Sequence, residues 1–390
     1  MRSGLYSTAP TRFLKPVRVF HILVQNSIHQ PDQTRTVIVR HLGTNGGSVT
    51  QRRHFSFLLL FLRKGRVLSG LALAALALVT ARSRTRDSSE IILRFGGDVL
   101  LAVHYEQDVG SDIHRAFEGF DLFHTDDLSM VNLEAPLTER GTRQVKPYTF
   151  RMKQRCTAAL TRAGIDVVNL ANNHIFDYGT EGLFDTITAL DSAHILYVGA
   201  GRNAAQAHRP IVKTFRSKTI GLLGYYGGPE SPKASASSPG VADRNLALIE
   251  RDVRHLREVE HAEYVVVNFH WGDELADFPA EHYREFAHRV ITFGVDAIIG
   301  HHPHVLQGIE LYQGKVIVYS LGNLIFGGNA KRSYDTGVFE IRLTHSGPAY
   351  RFIPVRVSHW QASVLTGADA ERLVARVRRL SAIFPSSIFQ

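Results

Sequence analysis

The sequence has little of the chemistry that covalent cross-links and thiolate metal clusters require. Its 390 residues include one cysteine, Cys156. A single thiol cannot form an internal disulfide, and it cannot supply the several sulfur ligands of a structural zinc site. A disulfide framework and a thiolate cluster are therefore both excluded, so any metal in this chain has to be bound through oxygen and nitrogen.

Acidic residues are nearly absent from the first 86 residues, although Arg and Lys are abundant there. The formal net charge of +9 thus arises mainly in this N-terminal arm, and the remainder of the chain is close to balanced. We therefore predict no nucleic-acid partner. With 44% hydrophobic and 21% charged residues, the composition is that of a globular protein long enough to bury a sizeable core.

An uninterrupted apolar run long enough to span a membrane is also missing. Residues 1–54 form a basic arm that is typical of disorder, or of translation from a start codon upstream of the native one. Within residues 55–86, the apolar run 67–80 follows basic residues and is shorter than the ~20 residues of a spanning helix. We predict an export signal or a short membrane anchor, with a buried core helix as the alternative. Arg52-Arg53 resembles the start of a twin-arginine export signal.

Strand and helix patterns alternate from about residue 87 to residue 390, which predicts an α/β domain. A hairpin is predicted around Gln313-Gly314, and the first strand is expected to stop at Gly96-Gly97. The principal predicted strands are residues 91–95, 128–133, 166–170, 219–225, 264–269 and 297–299. The principal predicted helices are residues 157–163, 180–192, 245–260, 279–293 and 368–380.

Polar residues follow five of these strands, at the point where each strand ends. They are Asp98, Asn132 with Glu134, Asn172-Asn173-His174, His270, and the group His301-His302-Pro303-His304. Because the carboxyl ends of α/β strands converge on one crevice, residues far apart in the sequence can meet there. A mixed set of carboxylates, amides and imidazoles suits zinc, manganese or iron better than calcium. The sequence therefore predicts one metal site at the strand ends.

Seven motifs in this order resemble the CapA family of capsule and poly-γ-glutamate synthesis proteins. They are FGGD (95–98), VNLEAPLT (131–138), GIDVVNLANNH (164–174), DYG (177–179), NFHWG (268–272), GHHPHV (300–305) and YSLGN (319–323). The resemblance extends from about residue 91 to residue 357. It implies a fold like that of the calcineurin-like metallophosphoesterases, a layered sandwich of mixed β-sheets flanked by helices.

The resemblance also implies roles for individual residues and a cofactor of one or two divalent ions. Glu134 would be a bridging acid, and His174 would protonate a leaving group. Asp177 is expected to be a structural cap before Gly179. The implied metal ligands are Asp98, Glu134, Asn173, His270, His302 and His304. The residues expected to line the substrate pocket are Lys146, Trp271, Glu274 and Asn323.

One departure from the phosphoesterase pattern divides the functional hypotheses. That pattern has a histidine two residues after the first aspartate, whereas this chain has Leu100. The first hypothesis is an exported, membrane-tethered metal-dependent hydrolase that faces the periplasm or the cell exterior. Its substrate would be an anionic polymer such as poly-γ-glutamate, or a phosphoester, and membrane polymer-synthase subunits would be its partners. The alternatives are a non-catalytic subunit of an export machine with a reduced metal site, and a cytosolic nucleotide phosphoesterase with a mistranslated arm.

Overall fold

The computed structural model describes residues 40–42, 48–50, 89–102, 104–327 and 332–390. The chain divides into two compact units, Met1–Ser83 and Arg84–Gln390. In the first unit, β1 (Arg40–Leu42) pairs antiparallel with β2 (Ser48–Thr50). The predicted export signal or anchor lies outside the described residues. Among the helices that are described, none combines the length and the apolar character needed to cross a bilayer.

The second unit alternates strands and helices, as the sequence predicts. Its strands are β3 (Ile91–Leu100), β4 (Leu128–Leu133), β5 (Val167–Asn169), β6 (Leu196–Val198), β7 (Ala200–Gly201), β8 (Ile211–Phe215), β9 (Lys218–Tyr226), β10 (Gly240–Val241), β11 (Tyr264–His270), β12 (Ala297–His301), β13 (Ile309–Tyr312), β14 (Lys315–Val318), β15 (Asn323–Phe326), β16 (Tyr334–Thr344), β17 (Gly347–Ser358) and β18 (Gln361–Val364). Its helices are α1 (Tyr105–Val109), α2 (Thr157–Ala163), α3 (Gly179–Ser192), α4 (Ala204–Ala207), α5 (Leu246–Glu258), α6 (Glu281–Ile291) and α7 (Gly367–Ser381).

Two mixed sheets carry most of these strands. The larger has the order β18-β17-β16-β3-β4-β5-β6, with β15 beside β3 off this path. The smaller has the order β13-β14-β12-β11-β9-β8. Each sheet contains a run of parallel strands: β3, β4, β5 and β6 in the larger, and β9, β11, β12 and β14 in the smaller. Each sheet therefore gathers several strand carboxyl ends at one edge.

The two sheets pack face to face, and helices cover their outer faces. Phe95 of β3 and Val266 of β11 belong to one buried cluster that lies between the sheets. Leu160 and Leu183, from α2 and α3, pack in a second cluster on the outer face of the larger sheet. A third cluster joins α5 and α6 to the outer face of the smaller sheet. The predicted α/β sandwich of mixed sheets flanked by helices is thereby confirmed.

The first strand is longer than the sequence predicts. It continues through Gly96-Gly97 to Leu100, so the prediction that it stops at the two glycines is wrong. A Cβ on Gly97 would lie 1.9 Å from the carbonyl oxygen of Gly322, and the Asp98 amide donates a hydrogen bond to that same oxygen. Here the glycine marks a close approach of two backbones rather than a turn. This contact fixes the position of Asp98.

The hairpin predicted around Gln313-Gly314 is confirmed. β13 and β14 pair antiparallel, and Tyr312 lies opposite Lys315. Both connecting residues have positive φ, 50° for Gln313 and 74° for Gly314. Positive φ at both positions is the requirement of the two-residue type I′ turn, whose twist matches that of the strands.

Candidate metal centre

The predicted metal ligands lie at or near the carboxyl ends of strands from both sheets. Asp98 lies in β3, and Glu134 follows β4 by one residue. Asn173 follows β5, so the larger sheet contributes three of the six ligands. His270 ends β11, and β12 ends at His301, immediately before the other two predicted histidine ligands, His302 and His304. The site thus spans both layers of the sandwich, and every predicted ligand lies in it.

Asn132 holds the two carboxylates of the site. Its Nδ2 donates to Asp98 Oδ1 at 2.9 Å and to Glu134 Oε2 at 3.2 Å. The side-chain amides of Asn169 and Asn172 donate to its Oδ1, which fixes the orientation of the group. An amide nitrogen has two hydrogens, so these two carboxylate contacts use both of them. Sequence reasoning placed Asn132 among the polar residues at the strand ends but gave it no role, although it lies two residues before Glu134 and strand alternation puts both residues on one face.

Donor atoms converge on one oxygen of Glu134. Its Oε1 is buried and has no hydrogen-bond partner among the described residues. His270 Nε2 and His304 Nε2 each lie 3.6 Å from this oxygen. His270 Nε2 also lies 2.8 Å from Asn173 Oδ1 and 3.1 Å from His302 Nδ1. Two groups of potential ligands result, and Glu134 belongs to both: Asp98, Glu134 and His270 in one, and Glu134, His302 and His304 in the other.

These residues fit a divalent transition metal. Two ligand atoms bound at about 2.1 Å and tetrahedral angles are ~3.4 Å apart, close to the separations around Glu134 Oε1. A buried carboxylate oxygen without a partner is costly, and a cation would satisfy it. The set of two carboxylates, one amide and three imidazoles is the chemistry that zinc, manganese and iron bind.

Asn323 orients the ring of His304. The histidine Nδ1–H donates to the amide oxygen of Asn323 at 2.8 Å, which leaves Nε2 directed toward Glu134. Metal-binding histidines commonly donate the other ring N–H to such an acceptor, which fixes the tautomer. The sequence assigned Asn323 to the substrate pocket. The structure places it behind a predicted metal ligand and at the wall of an adjoining cavity.

The loop that carries the histidine pair has an unusual backbone. His302 has a φ of 99° and His304 a φ of 58°, and Pro303 lies between them. Side chains other than glycine rarely adopt this region, and such residues concentrate at functional sites. The surrounding fold therefore holds both rings toward Glu134 at a cost in backbone energy.

The buried groups of the site shift one another's pKa values. Burial, together with the charge of Asp98, raises the pKa of Glu134 well above its ordinary value. Burial opposes ionisation of Asp98 too, but the neighbouring imidazoles of His301 and His304 outweigh it and hold that pKa well below its usual range. Burial would lower the pKa of His304, yet Glu134, Asp98 and Asn323 raise it to about 10. Burial and the charge of His302 lower the pKa of His270 well below 6.5.

His174 lies beside the ligands in a supported position. Its Nδ1 pairs with Asp177 Oδ2 at 2.7 Å, and the ring of Phe150 packs against it at 4.6 Å. Burial lowers the pKa of His174, although Asp177 partly offsets this effect. Lys146 forms an ion pair with Asp177 and donates to the backbone oxygen of Asn173 at 2.6 Å. Lys146 therefore braces the loop that carries His174, whereas the sequence assigned it to substrate contact.

Asp177 does not act as the helix cap that the sequence predicts. α3 begins at Gly179 with Tyr178 as its capping residue and has no side-chain capping hydrogen bond. The Asp177 carboxylate instead accepts a hydrogen bond from the Phe150 amide and pairs with His174. The three-residue spacing of His174 and Asp177 was the signal for this pairing.

The two remaining predicted pocket residues differ in their surroundings. Trp271 is 3% exposed, stacks on Phe269 and Tyr319, and donates its indole N–H to the backbone oxygen of Tyr319, a placement that favours packing. Glu274 is exposed. Its charge adds to the effect of burial that raises the pKa of Glu134, and it partly opposes the effect of burial that lowers the pKa of His302. Glu274 therefore lies near enough to the site to influence what binds there.

His301 is a further residue of the site, which sequence reasoning placed in the histidine group without giving it a role. It is 1% exposed, and neither ring nitrogen has a hydrogen-bond partner among the described residues. Its Nδ1 lies 3.5 Å from Asp98 Oδ1. Leu100, where the phosphoesterase pattern has a histidine, is buried in the apolar cluster on the outer face of the larger sheet. One side of the site thus contains apolar packing where the pattern has a ligand.

Comparison with solved structures finds similar architectures at low identity. A putative 5′-nucleotidase from Staphylococcus aureus is 14% identical with a TM-score of 0.45, over 75% of this chain and 58% of that chain. A hypothetical protein from Thermus thermophilus is 16% identical with a TM-score of 0.44, over 68% of this chain and all of that chain. With TM-scores below 0.5, the description of the fold rests on the strand order itself.

Comparison with sequences is more specific. A capsule biosynthesis protein, CapA, of Bacillus anthracis is 28% identical over 75% of this chain and 73% of that protein. A probable polyglutamine synthesis accessory protein of Mycobacterium tuberculosis is 32% identical over 66% of this chain and 73% of that protein. The model of the family described as bacterial capsule synthesis protein PGA_cap matches residues 92–328, which include every predicted metal ligand. The chain therefore belongs to the bacterial capsule synthesis protein family PGA_cap.

Proposed function

We propose that this chain is an exported, membrane-tethered, metal-dependent hydrolase that acts in the synthesis, export or anchoring of an anionic capsule polymer. The observation that carries the proposal is the convergence of His270 and His304 on the unpartnered oxygen of Glu134. Membership in a capsule-synthesis family supports the polymer context. The resemblance of the sequence motifs to the CapA family of poly-γ-glutamate synthesis proteins supports a polymer of glutamate. Export and tethering rest on the basic and apolar segment between residues 55 and 86.

The residues of the site divide the work of binding and proton transfer. Asp98, Glu134, Asn173, His270, His302 and His304 would hold one or two divalent ions. When bound, such an ion supplies positive charge to a substrate oxygen and lowers the pKa of a bound water. Asn132 holds both carboxylates in the site through hydrogen bonds, and Asn323 fixes the orientation of the His304 ring. Asp177 orients His174, which would exchange a proton with the leaving group.

A second candidate function is favoured by Leu100. Because an apolar, fully buried side chain replaces one histidine of the phosphoesterase pattern, a ligand is missing on the side of Asp98. A site of this kind would bind one ion, and the chain would then serve as a non-catalytic subunit of a polymer-export machine. Membrane polymer-synthase subunits would be the partners in either case.

The test is the metal content of the purified full-length chain beside a variant with His302→Ala and His304→Ala. The loss of two imidazole ligands should lower the metal content by more than about tenfold. A matched control is the variant with His282→Ala and His345→Ala, which removes two exposed histidines elsewhere and should keep the parent's metal. Equal metal content in both variants would refute the site.

The number of ions and the effect of His174→Ala separate the two functions. Two ions per chain, with turnover lowered at least about 100-fold by His174→Ala and metal retained, would support the hydrolase. One ion per chain and no turnover on phosphoesters or glutamate polymers would support the subunit. Turnover that His174→Ala leaves unchanged would show that His174 is not the proton-transfer group.

A further inference from the structure

A groove of about 570 Å³ opens beside the candidate metal centre. His304 and Asn323 form part of its wall, so the groove and the site share residues. Its volume falls within the ~300–1,000 Å³ that is usual for ligand sites. A molecule in the groove would therefore extend directly to the predicted metal ligands.

Three arginines and one aspartate give this groove a positive lining. Arg332 precedes β16, Arg356 lies in β17, and Arg376 lies in α7. Among the described residues that line the groove, Asp335 is the one acidic residue. We refer to this site as the arginine groove. Its charge favours an anionic ligand, and the planar forks of arginine match carboxylate oxygens in pairs.

The arginines share their charge with carboxylates outside or at the edge of the groove. Arg356 Nε donates to Asp335 Oδ1 at 2.7 Å, and its Nη1 lies 3.5 Å from Asp369. Arg376 lies 3.6 Å from Asp277. These contacts use only some of the five N–H donors of each guanidinium and reduce its mobility. Arg332 is exposed and has no ion-pair partner within 4 Å among the described residues.

This distribution of charge distinguishes between classes of anion. A compact, multiply charged phosphate chain is best held by concentrated positive charge. In the arginine groove the positive charge is spread along the wall and partly neutralised by aspartates. Such a wall suits a chain that carries single negative charges at intervals, as a polymer of carboxylate side chains does.

We propose that the arginine groove binds the carboxylates of an acidic polyamide chain and presents the adjoining segment of that chain to the metal centre. This assignment deepens the proposed function and rests on it for the identity of the polymer. The roles of Arg332 and Arg356 are to bind and orient the chain, and neither takes part in bond cleavage.

The test is fluorescence anisotropy of a dye-labelled γ-linked glutamate oligomer with the purified full-length chain. The parent should bind it, with an affinity that falls as salt rises. The variant with Arg332→Gln and Arg356→Gln should bind about tenfold more weakly, because hydrogen bonds to a charged group are lost. Arg332→Gln alone, at an exposed position without an ion pair, should give part of this loss. The control Arg254→Gln, at an exposed position on α5, should bind like the parent.

Several outcomes would overturn the proposal. They are unchanged affinity in the double variant, equally tight binding of a neutral glutamine oligomer, and tighter binding of inorganic polyphosphate than of the glutamate oligomer. Metal content, measured on the same samples, should equal that of the parent in every arginine variant. Groove-dependent binding without any hydrolysis would count against the proposed hydrolase and leave the arginine groove established.

Discussion

Two buried polar clusters of this molecule contain similar residues, but the carboxylate of one is fully hydrogen-bonded and the carboxylate of the other is not. Beside the smaller sheet, Asp252 pairs with His208 Nδ1 at 2.7 Å and accepts hydrogen bonds from Tyr225 and Arg251. Both of its oxygens are satisfied. At the metal centre, Glu134 Oε1 lacks a partner although histidine nitrogens lie within 3.6 Å.

The contrast separates structural clusters from functional ones by how well their polar atoms are satisfied. A buried group that has lost its water costs about 1–3 kcal/mol unless it is paired. The Asp252 cluster meets that cost from within the protein. At the metal centre that cost is not met by contacts within the protein. Its unpartnered ligand atoms face one another, which is the arrangement that a bound cation completes. Residue type alone would not have distinguished the two clusters.

The largest expected effect comes from breaking the satisfied cluster. Asp252→Ala leaves the His208 ring and the Tyr225 hydroxyl buried without their partner, so the free energy of unfolding should fall by about 3 kcal/mol. Metal content should remain that of the parent. Chemical denaturation and elemental analysis measure the two quantities. A stable variant that has lost metal would reverse the comparison.

A smaller effect of opposite sign is expected at the open cluster. Glu134→Gln removes a carboxylate whose pKa burial and Asp98 raise, so the metal-free chain should become more stable by about 2 kcal/mol at pH 8. The sign follows because a raised carboxyl pKa disfavours the ionised form in the folded state. Folding therefore costs more as pH rises above about 4.5.

The same variant should bind metal at least about tenfold more weakly, because an amide replaces the shared carboxylate. Denaturation of chelator-treated samples at pH 8 gives the stability, and titration with metal gives the affinity. Loss of stability in the metal-free variant would mean that Glu134 is held by contacts within the protein. The site would then resemble the Asp252 cluster after all.

The smallest effect isolates an unsatisfied carboxylate that belongs to no metal site. Burial raises the pKa of Asp126 to about 8, and its Oδ2 has no hydrogen-bond partner among the described residues. The parent should lose stability as pH rises from the ordinary pKa of an aspartate, near 3.8, to the raised pKa of Asp126, about 8. Asp126→Asn should remove this slope and gain about 1 kcal/mol at pH 8.5, since partial exposure reduces the effect.

Denaturation at pH 4 and pH 8.5 measures this difference, and metal content should not change. Equal stability of parent and variant at both pH values would show that the Asp126 carboxylate is solvated. Asp126 then would not serve as the control for an unsatisfied group without a ligand role.

The sequence predicted the elements that depend on local pattern. β4 and α2 match the predicted residues 128–133 and 157–163, and the apolar strand β11 differs from its prediction by one residue. Every predicted metal ligand lies at the site, because the polar residues follow parallel strands whose ends must converge. Their individual roles remain predictions.

The features that depend on contacts distant in the sequence were not predicted. β3 continues past Gly97 because β15, more than 200 residues later, pairs with Asp98 to Leu100. Asn132 becomes the link between two carboxylates only when Asn169 and Asn172 fix its amide. Trp271 follows a strand as the ligands do, but its ring is held in the core by Phe269 and Tyr319. Local sequence patterns do not show which distant residues will become neighbours in the fold.

The division of the site between the two sheets has a mechanical consequence. A metal ion bound by Glu134 and His302 would be a cross-link between the layers of the sandwich, in a chain whose one cysteine cannot form an internal disulfide. The sheets could not slide apart without breaking metal–ligand bonds, so loading with metal would delay their separation on heating. The ion would thus act as a removable rivet, and its supply would set how long the domain stays folded.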